Sequence, residues 1–299
     1  MAQDISKWFK EVIRDKVIIG MQAHGGLLDY TMESGDVQGN LVKFPITRGR
    51  AAVYELSGSI QPVPIGNPGL DTIPIILRDY EAVAWWRTQD AYRAGPSEQN
   101  TLTKLLVKAI RRKRDTIKLD ALEAFETATT TPEIATIGTG VEVPDVLHFE
   151  QARAEIASLG QEEEDEVFAI IPEMWMSQLS FYKEYGTMDW SGMEHMPFSK
   201  VTRSKMRIVH GIHYIVGPDE YFKSPAGQPT QLIGWMWSKS AMAAETAWNQ
   251  ETPSLSQHHD KEGSPWLAKS ALSGAAVGLQ PQGVKRFLLK KILVPVRPV

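Results

Sequence analysis

The chain has 299 residues, 42% hydrophobic and 23% charged, enough to bury a sizeable core in one large domain or two moderate ones. A formal net charge of -4 argues against a dedicated nucleic-acid binder, and the absence of cysteine excludes disulfides, thiolate metal sites and cysteine nucleophiles. No apolar run is long enough to cross a bilayer as a helix and Met1 does not open a signal-peptide pattern, so a soluble chain with no membrane partner is expected.

Residues 4–19 have the spacing of a short amphipathic helix, with Ile5, Trp8, Phe9, Val12 and Ile13 on one side. The stretch 20–40 is loose, carrying Gly20, Gly25, Gly26, Gly35 and Gly39, and residues 1–38 are expected to form an arm lying on other surfaces. Strand patterns follow at Leu41, Val42, Phe44 and Ile46, then at 51–56 and 72–77, around a Pro/Gly-rich tip at 60–69. Pro74 bars the last of these from the middle of a sheet, so a projecting hairpin is predicted. Its apolar side chains are too many for a lone hairpin and are expected to be buried between subunits.

The outstanding element is a helix predicted over 97–128. Ser97 can cap it, Glu98 suits its first turn, and Thr129, Thr130, Thr131 and Pro132 stop it. Leu102, Leu105, Leu106, Ala109 and Ile110 form an apolar stripe resumed by Ile117, Ala121, Ala124, Phe125 and Ala128. At 1.5 Å per residue it spans roughly 45 Å, with too little of its own chain to bury against. Its charges oppose the macrodipole: Lys104, Lys108, Arg111, Arg112, Lys113 and Arg114 come first, Asp120, Glu123 and Glu126 later. They are expected to pair with acids on neighbouring subunits or on the arm. Arg111 to Arg114 form a collar, for which a solvated or subunit-contact role is favoured over DNA contact.

Asp145 can cap a second helix whose buried face is Phe149, Ala152, Ile156 and Leu159, closed by Gly160. An acidic run at 162–166 precedes a buried strand over 167–171, ended by Pro172, and a short helix marked by Trp175, Leu179 and Tyr182. Residues 183–205 read as a long loop, 206–216 and 231–247 as strands joined near Gly217–Pro218, 250–265 as polar and irregular. The stretch 275–289 reads as strand around a turn at 280–283.

No chemistry stands out. His210 and His213 come nearest to metal-ligand spacing, but three residues apart on a strand they face opposite ways, and a structural role is favoured. His258, His259 and Asp260 read as a solvent-exposed polar loop, as does the acidic run, which lacks EF-hand spacing. There is no G-x-S-x-G elbow and no P-loop, and Gly138-Thr139-Gly140 lacks a third glycine. No catalytic, cofactor-binding or metal-ligating residue is assigned, and no enzyme activity is expected.

The order of elements resembles the major capsid proteins of tailed bacteriophages, the Hong Kong ninety-seven type of fold. The local likenesses are Ile73-Pro74-Ile75-Ile76-Leu77 with Tyr80, Phe168-Ala169-Ile170-Ile171-Pro172-Glu173-Met174-Trp175 with Leu179, and Gly278-Leu279-Gln280-Pro281-Gln282-Gly283-Val284. The resemblance implies an α+β fold: an arm at 1–38, an extended loop at 39–80, and a peripheral domain from 81–144 and 266–299 with its spine helix at 97–128. Residues 145–265 would be mostly axial domain with part of the peripheral one. It further implies self-assembly through hexamers and pentamers into an icosahedral shell around packaged double-stranded DNA, held non-specifically on the inner face. A portal protein at one vertex and a decoration protein are partners the family allows. Because the arm starts almost at once, a separate scaffolding protein is expected. Lys43 is the single lysine between Asn40 and Arg78, where some relatives cross-link. The virion, assembled in the host bacterial cytoplasm, is the expected location. An encapsulin shell and an α/β metal-dependent hydrolase using His210 or His213 stay open as alternatives.

Overall fold

The computed structural model describes residues 24–47, 69–87, 96–128, 134–160, 165–182 and 206–295. The amphipathic stretch at 4–19, the hairpin tip, the helix stop at 129–132, Glu162 to Glu164 and the 183–205 loop lie outside the described residues.

The predicted long helix is α1 (Pro96–Ala128), 33 residues, hence about 50 Å of rod. One side of it rests on a three-stranded antiparallel sheet made of β4 (Arg78–Trp86), β10 (Met242–Gln257) and β11 (Trp266–Gly278), with β11 in the middle. Small residues on β11 let the helix come close. Gly278 lies directly under the Phe125 ring, and any Cβ there would run into it. Gly274 sits beneath Ile117, and Lys113 lies over the Tyr80 ring at 4.5 Å.

A six-stranded mixed sheet holds the main core. Its order is β5 (Ala135–Ile137), β12 (Val284–Lys290), β9 (Gln231–Ser238), β6 (Val167–Pro172), β8 (Ile212–Gly217) and β7 (Met206–Val209). Every residue of β6 is buried, as a strand covered on both faces requires. On one face lie α2 (Val146–Ala157) and α3 (Glu173–Leu179). Phe149 of α2 meets Tyr214 and Phe287, and Trp175 of α3 fills the space above Gly234 and donates its indole N–H to Lys290 O at 3.1 Å. On the other face, Phe168 and Trp237 meet Leu28, Met32 and the C-terminal half of α1, including Leu122 and Phe125.

A third sheet holds β1 (Asp36–Gln38), β2 (Leu41–Thr47) and β3 (Leu70–Ile76), with β3 at its edge, where Pro74 is tolerated. Alternation in β2 buries Val42, Phe44 and Ile46. They are covered by their own chain: Phe44 and Val42 close over Gly35 and cluster with Leu77, Ala243 and Ala275. The expectation that these side chains await a neighbouring subunit is therefore corrected. Gly35 and the small residues Ala243 and Ala275, far apart in sequence, make the room that receives them.

Three other expectations change. The strand read over 206–216 is a tight hairpin, because His210 (φ 51) and Gly211 (φ 76) take the left-handed conformation that a two-residue turn demands. The region 250–265 is not irregular throughout, since β10 runs on to Gln257 with bulges before Trp248 and Ser254. Leu159 is exposed, because α2 ends before it. Within residues 266–295, β11 pairs with β4 under α1, whereas β12 pairs with β9 and β5.

Candidate functional site

The densest polar constellation among the described residues lies where residues 25–35 cross the middle of α1. Gly25 (φ 73) sits against the backbone of Arg111 and Arg112, where a Cβ would have no room, and Gly26 (φ 72) turns the chain toward Asp115. Asp115 is fully buried. Its carboxylate accepts the consecutive backbone N–H groups of Leu27 (3.1 Å) and Leu28 (3.2 Å) and the hydroxyl of Tyr221 (3.0 Å). One turn on, Lys118 donates to Leu28 O at 2.6 Å and stands 3.6 Å from Asp29. Arg114 bonds Asp29 at 2.6 Å and Glu251 of β10 at 3.2 Å, and Arg111 bonds Glu251 at 2.7 Å.

The strap then leaves the helix. Trp237 donates to Thr31 O at 2.9 Å, Glu33 bridges to Ala243 in parallel, and Gly35 N–H donates to Glu245. One short segment thus ties α1 to the six-stranded sheet and to β10. The electrostatics are those of buried charge. Burial pushes the Asp115 carboxyl up, against the hydrogen bonds from Leu27, Leu28 and Tyr221. Burial pushes Lys118 down, opposed by Asp29 and Asp115, and burial with the adjacent Asp115 pushes the Tyr221 phenol well above its usual range.

Arg111, Arg114 and Lys118 of α1 therefore find partners inside the chain. Asp29 lies on the strap, as expected of the arm, but Glu251 on β10 takes the place given to a neighbouring subunit. In the acidic half, Glu126 pairs with Arg286, and Asp120 and Glu123 pair with Lys223.

The histidines are not brought together as ligands. His210, at the hairpin turn, donates from Nδ1 to Glu150 at 2.6 Å. His213 tilts against Phe168 at 5.1 Å, and no group of three metal-ligating residues occurs among the described residues. His258 stands 3.4 Å from Asp260 and 5.1 Å from the Trp85 ring, on which Lys261 stacks at 3.8 Å. Sequence reading missed Asp115. Its signal was an acid inside a basic run, four residues after Arg111 and seven before Leu122, on one helix face.

Large apolar side chains remain uncovered elsewhere. Tyr80 faces α1, so Val83 and Trp85 alternate to the far side of that sheet, where Trp248 opposite Ser273 joins them; each is about half exposed. Val141, Leu147, Leu293 and Val294 stand more than 70% exposed near one end of the six-stranded sheet. Patches of this kind mark contact surfaces. No helix of the described residues is long and apolar enough to cross a membrane.

A family model described as phage capsid protein matches residues 5–290. Among curated proteins, none matches. Solved structures similar to this chain include the capsid of the cyanophage P-SCSP1u (11% identity, TM-score 0.63, 93% of this chain and 92% of that one). The capsid of Ralstonia phage GP4 follows at 11% identity and TM-score 0.64, over 89% of this chain and 87% of that one. The mature capsid of bacteriophage PhiM1 shows 12% identity and TM-score 0.61, over 95% and 92%.

Proposed function

From the premise that this chain belongs to the phage capsid protein family, we propose how its parts serve a shell. The chain is a structural major capsid protein with the Hong Kong ninety-seven-type fold and not an enzyme, and its place is the virion. The encapsulin and hydrolase alternatives are not favoured by the family assignment.

In our reading, α1 with β4, β10 and β11 is the peripheral domain, and the six-stranded sheet with α2 and α3 is the axial domain. Copies join as hexamers and pentamers, a separate scaffolding protein guides them, and a portal occupies one vertex. Packaged double-stranded DNA lies on the inner face, a decoration protein can add outside, and assembly takes place in the host bacterial cytoplasm. The observation that carries the contact assignment is the apolar face of Val83, Trp85 and Trp248, left about half exposed by the described residues of a single copy. The test is sedimentation velocity with negative-stain electron microscopy of the purified chain, alone and co-expressed with a scaffolding protein. Capsomers or closed shells are expected in at least one condition. Compact monomers in both would refute the reading.

A further inference from the structure

Asp115 and Lys118 are costly to bury, and nothing in shell building by itself requires ionisable groups there. A fully buried carboxylate that accepts two consecutive backbone N–H groups does not hold α1 together; it holds another segment onto α1. Its partners on that segment are main-chain atoms of Leu27 and Leu28, with Lys118 completing the grip on Leu28 O. Downstream, the grip changes character. Trp237 fixes Thr31 O, and the strap joins β10 at Glu33. Between the two grips stands Tyr30, 90% exposed and in the left-handed conformation (φ 65), a position that costs a non-glycine residue energy.

We propose that Asp115 is a releasable latch. Closed, it fixes residues 25–29 across the middle of α1 and so sets the course of the chain at His24. Open, it lets that segment swing about Tyr30 while Thr31 to Gly35 and both large sheets stay in place. Opening must also withdraw Leu28, fully buried in the main core; the two buried charges offset part of that cost because opening returns both to water. The proposal goes beyond shell assembly and is read on the unassembled chain, so its failure is distinguishable from that of the capsid reading.

Acid works on the latch in a definite direction. The groups facing Asp115 are Lys118 from α1, Asp29 from the strap through Lys118 and Arg114, and Tyr221 with Glu220 from the turn before β9, with Arg112 nearby. Asp115 is raised above its ordinary 3.8 when closed, so the closed state binds the proton more tightly and gains as pH falls from neutral toward that value. Lys118 is shifted the other way and titrates from the alkaline side.

The test is amide hydrogen exchange on the purified chain and on Asp115→Asn, at pH 5 and pH 8, corrected for intrinsic rates. The amide nitrogen of asparagine cannot accept, so one strap N–H loses its partner. Exchange at Leu27 and Leu28 should rise about tenfold or more, the size of one lost hydrogen bond to a charged acceptor. Amides of β6 and β9 should not change. The native chain should protect Leu27 and Leu28 better at pH 5 than at pH 8, and the variant should lose that difference while keeping any share due to Lys118. Unchanged strap exchange, an equal rise across the whole chain, or the same pH dependence in both proteins would overturn the proposal. Should Asp115→Asn not fold, Tyr221→Phe removes one hydrogen bond to the latch and leaves the ring. It should give a smaller rise confined to the strap, and no rise there would be equally fatal.

Discussion

Replacing Phe44 by alanine separates two roles for the root of the hairpin. Phe44 is 1% exposed, in the central strand of its sheet, and clusters with Val42, Leu77, Ala243 and Ala275 from its own chain. Buried Phe→Ala changes cost about 3–5 kcal/mol; this small satellite cluster can partly close over the gap, so about 3 kcal/mol is expected. With a urea slope of about 3 kcal/mol/M for a chain this long, the midpoint of the unassembled protein should fall by about 1 M. The control is Ile76→Ala, on the opposite face of the neighbouring strand and 60% exposed, which should move that midpoint by less than about 0.2 M. The assay is urea titration of the unassembled chain followed by tryptophan fluorescence, with electron microscopy of each variant under assembly conditions. An unchanged midpoint for Phe44→Ala together with lost shells would refute the reasoning, because the ring would then be stabilising a contact between copies.

Glu251→Gln should weaken the unassembled chain by about 1.5–3 kcal/mol at pH 7, the range for hydrogen bonds to charged groups. Burial alone would raise the Glu251 carboxyl, but Arg111, Asn249 and Arg114 hold it below its ordinary 4.5; its contribution is therefore complete above that value and is lost as pH falls below it. Urea midpoints of native and variant chains should converge toward pH 3, and parallel curves would count against the pairing. His210→Asn should cost no more than about 1.5–3 kcal/mol in thermal or urea unfolding, because asparagine tolerates the left-handed turn position while the bond to the Glu150 carboxylate is lost. Trp85→Asp, on an outward face, should leave the midpoint within about 0.5 kcal/mol of native and sharply reduce shell yield in sedimentation. Normal yields would remove that face from the contact surface.

What could be read from the sequence was whatever is local and periodic. The stripe of α1 and the apolar run of β6 reported themselves, as did the Phe149, Ala152 and Ile156 face of α2. The second half of β10 did not. From Asn249 to Gln257 it is mostly exposed, and its strand character comes from backbone pairing with β11, which carries no side-chain signature. Gly211 did signal the β7–β8 turn, but the run of apolar residues on both sides masked it. The own-chain burial of Phe44 was illegible for another reason. It needs Gly35, Ala243 and Ala275 in one place, and small residues 200 positions apart announce nothing in one dimension. Asp115 was hidden among basic residues, where an acid reads as charge compensation.

The reversed charge order of α1 ceases to be a paradox once its positions are counted. Dipole effects act within the first and last turns and are worth about 0.3–1 kcal/mol each. Arg111 lies more than a dozen residues inside the helix, so the dipole hardly reaches it. What positions these charges is the pair of sheets. The basic half meets Glu251 on β10 and Asp29 on the strap, and the acidic half meets Arg286 on β12 and Lys223 before β9. The helix is thus long because it has two bodies to join, the three-stranded sheet along one side and the six-stranded sheet against its C-terminal half, with the strap crossing near its middle. A rod loaded in this way has Arg111, Arg114, Lys118, Asp120, Glu123 and Glu126 committed within its own chain. In our reading, the face that a copy offers its neighbours is the apolar sheet at Val83, Trp85 and Trp248, where contact between copies would remove surface from water instead of competing with internal ion pairs.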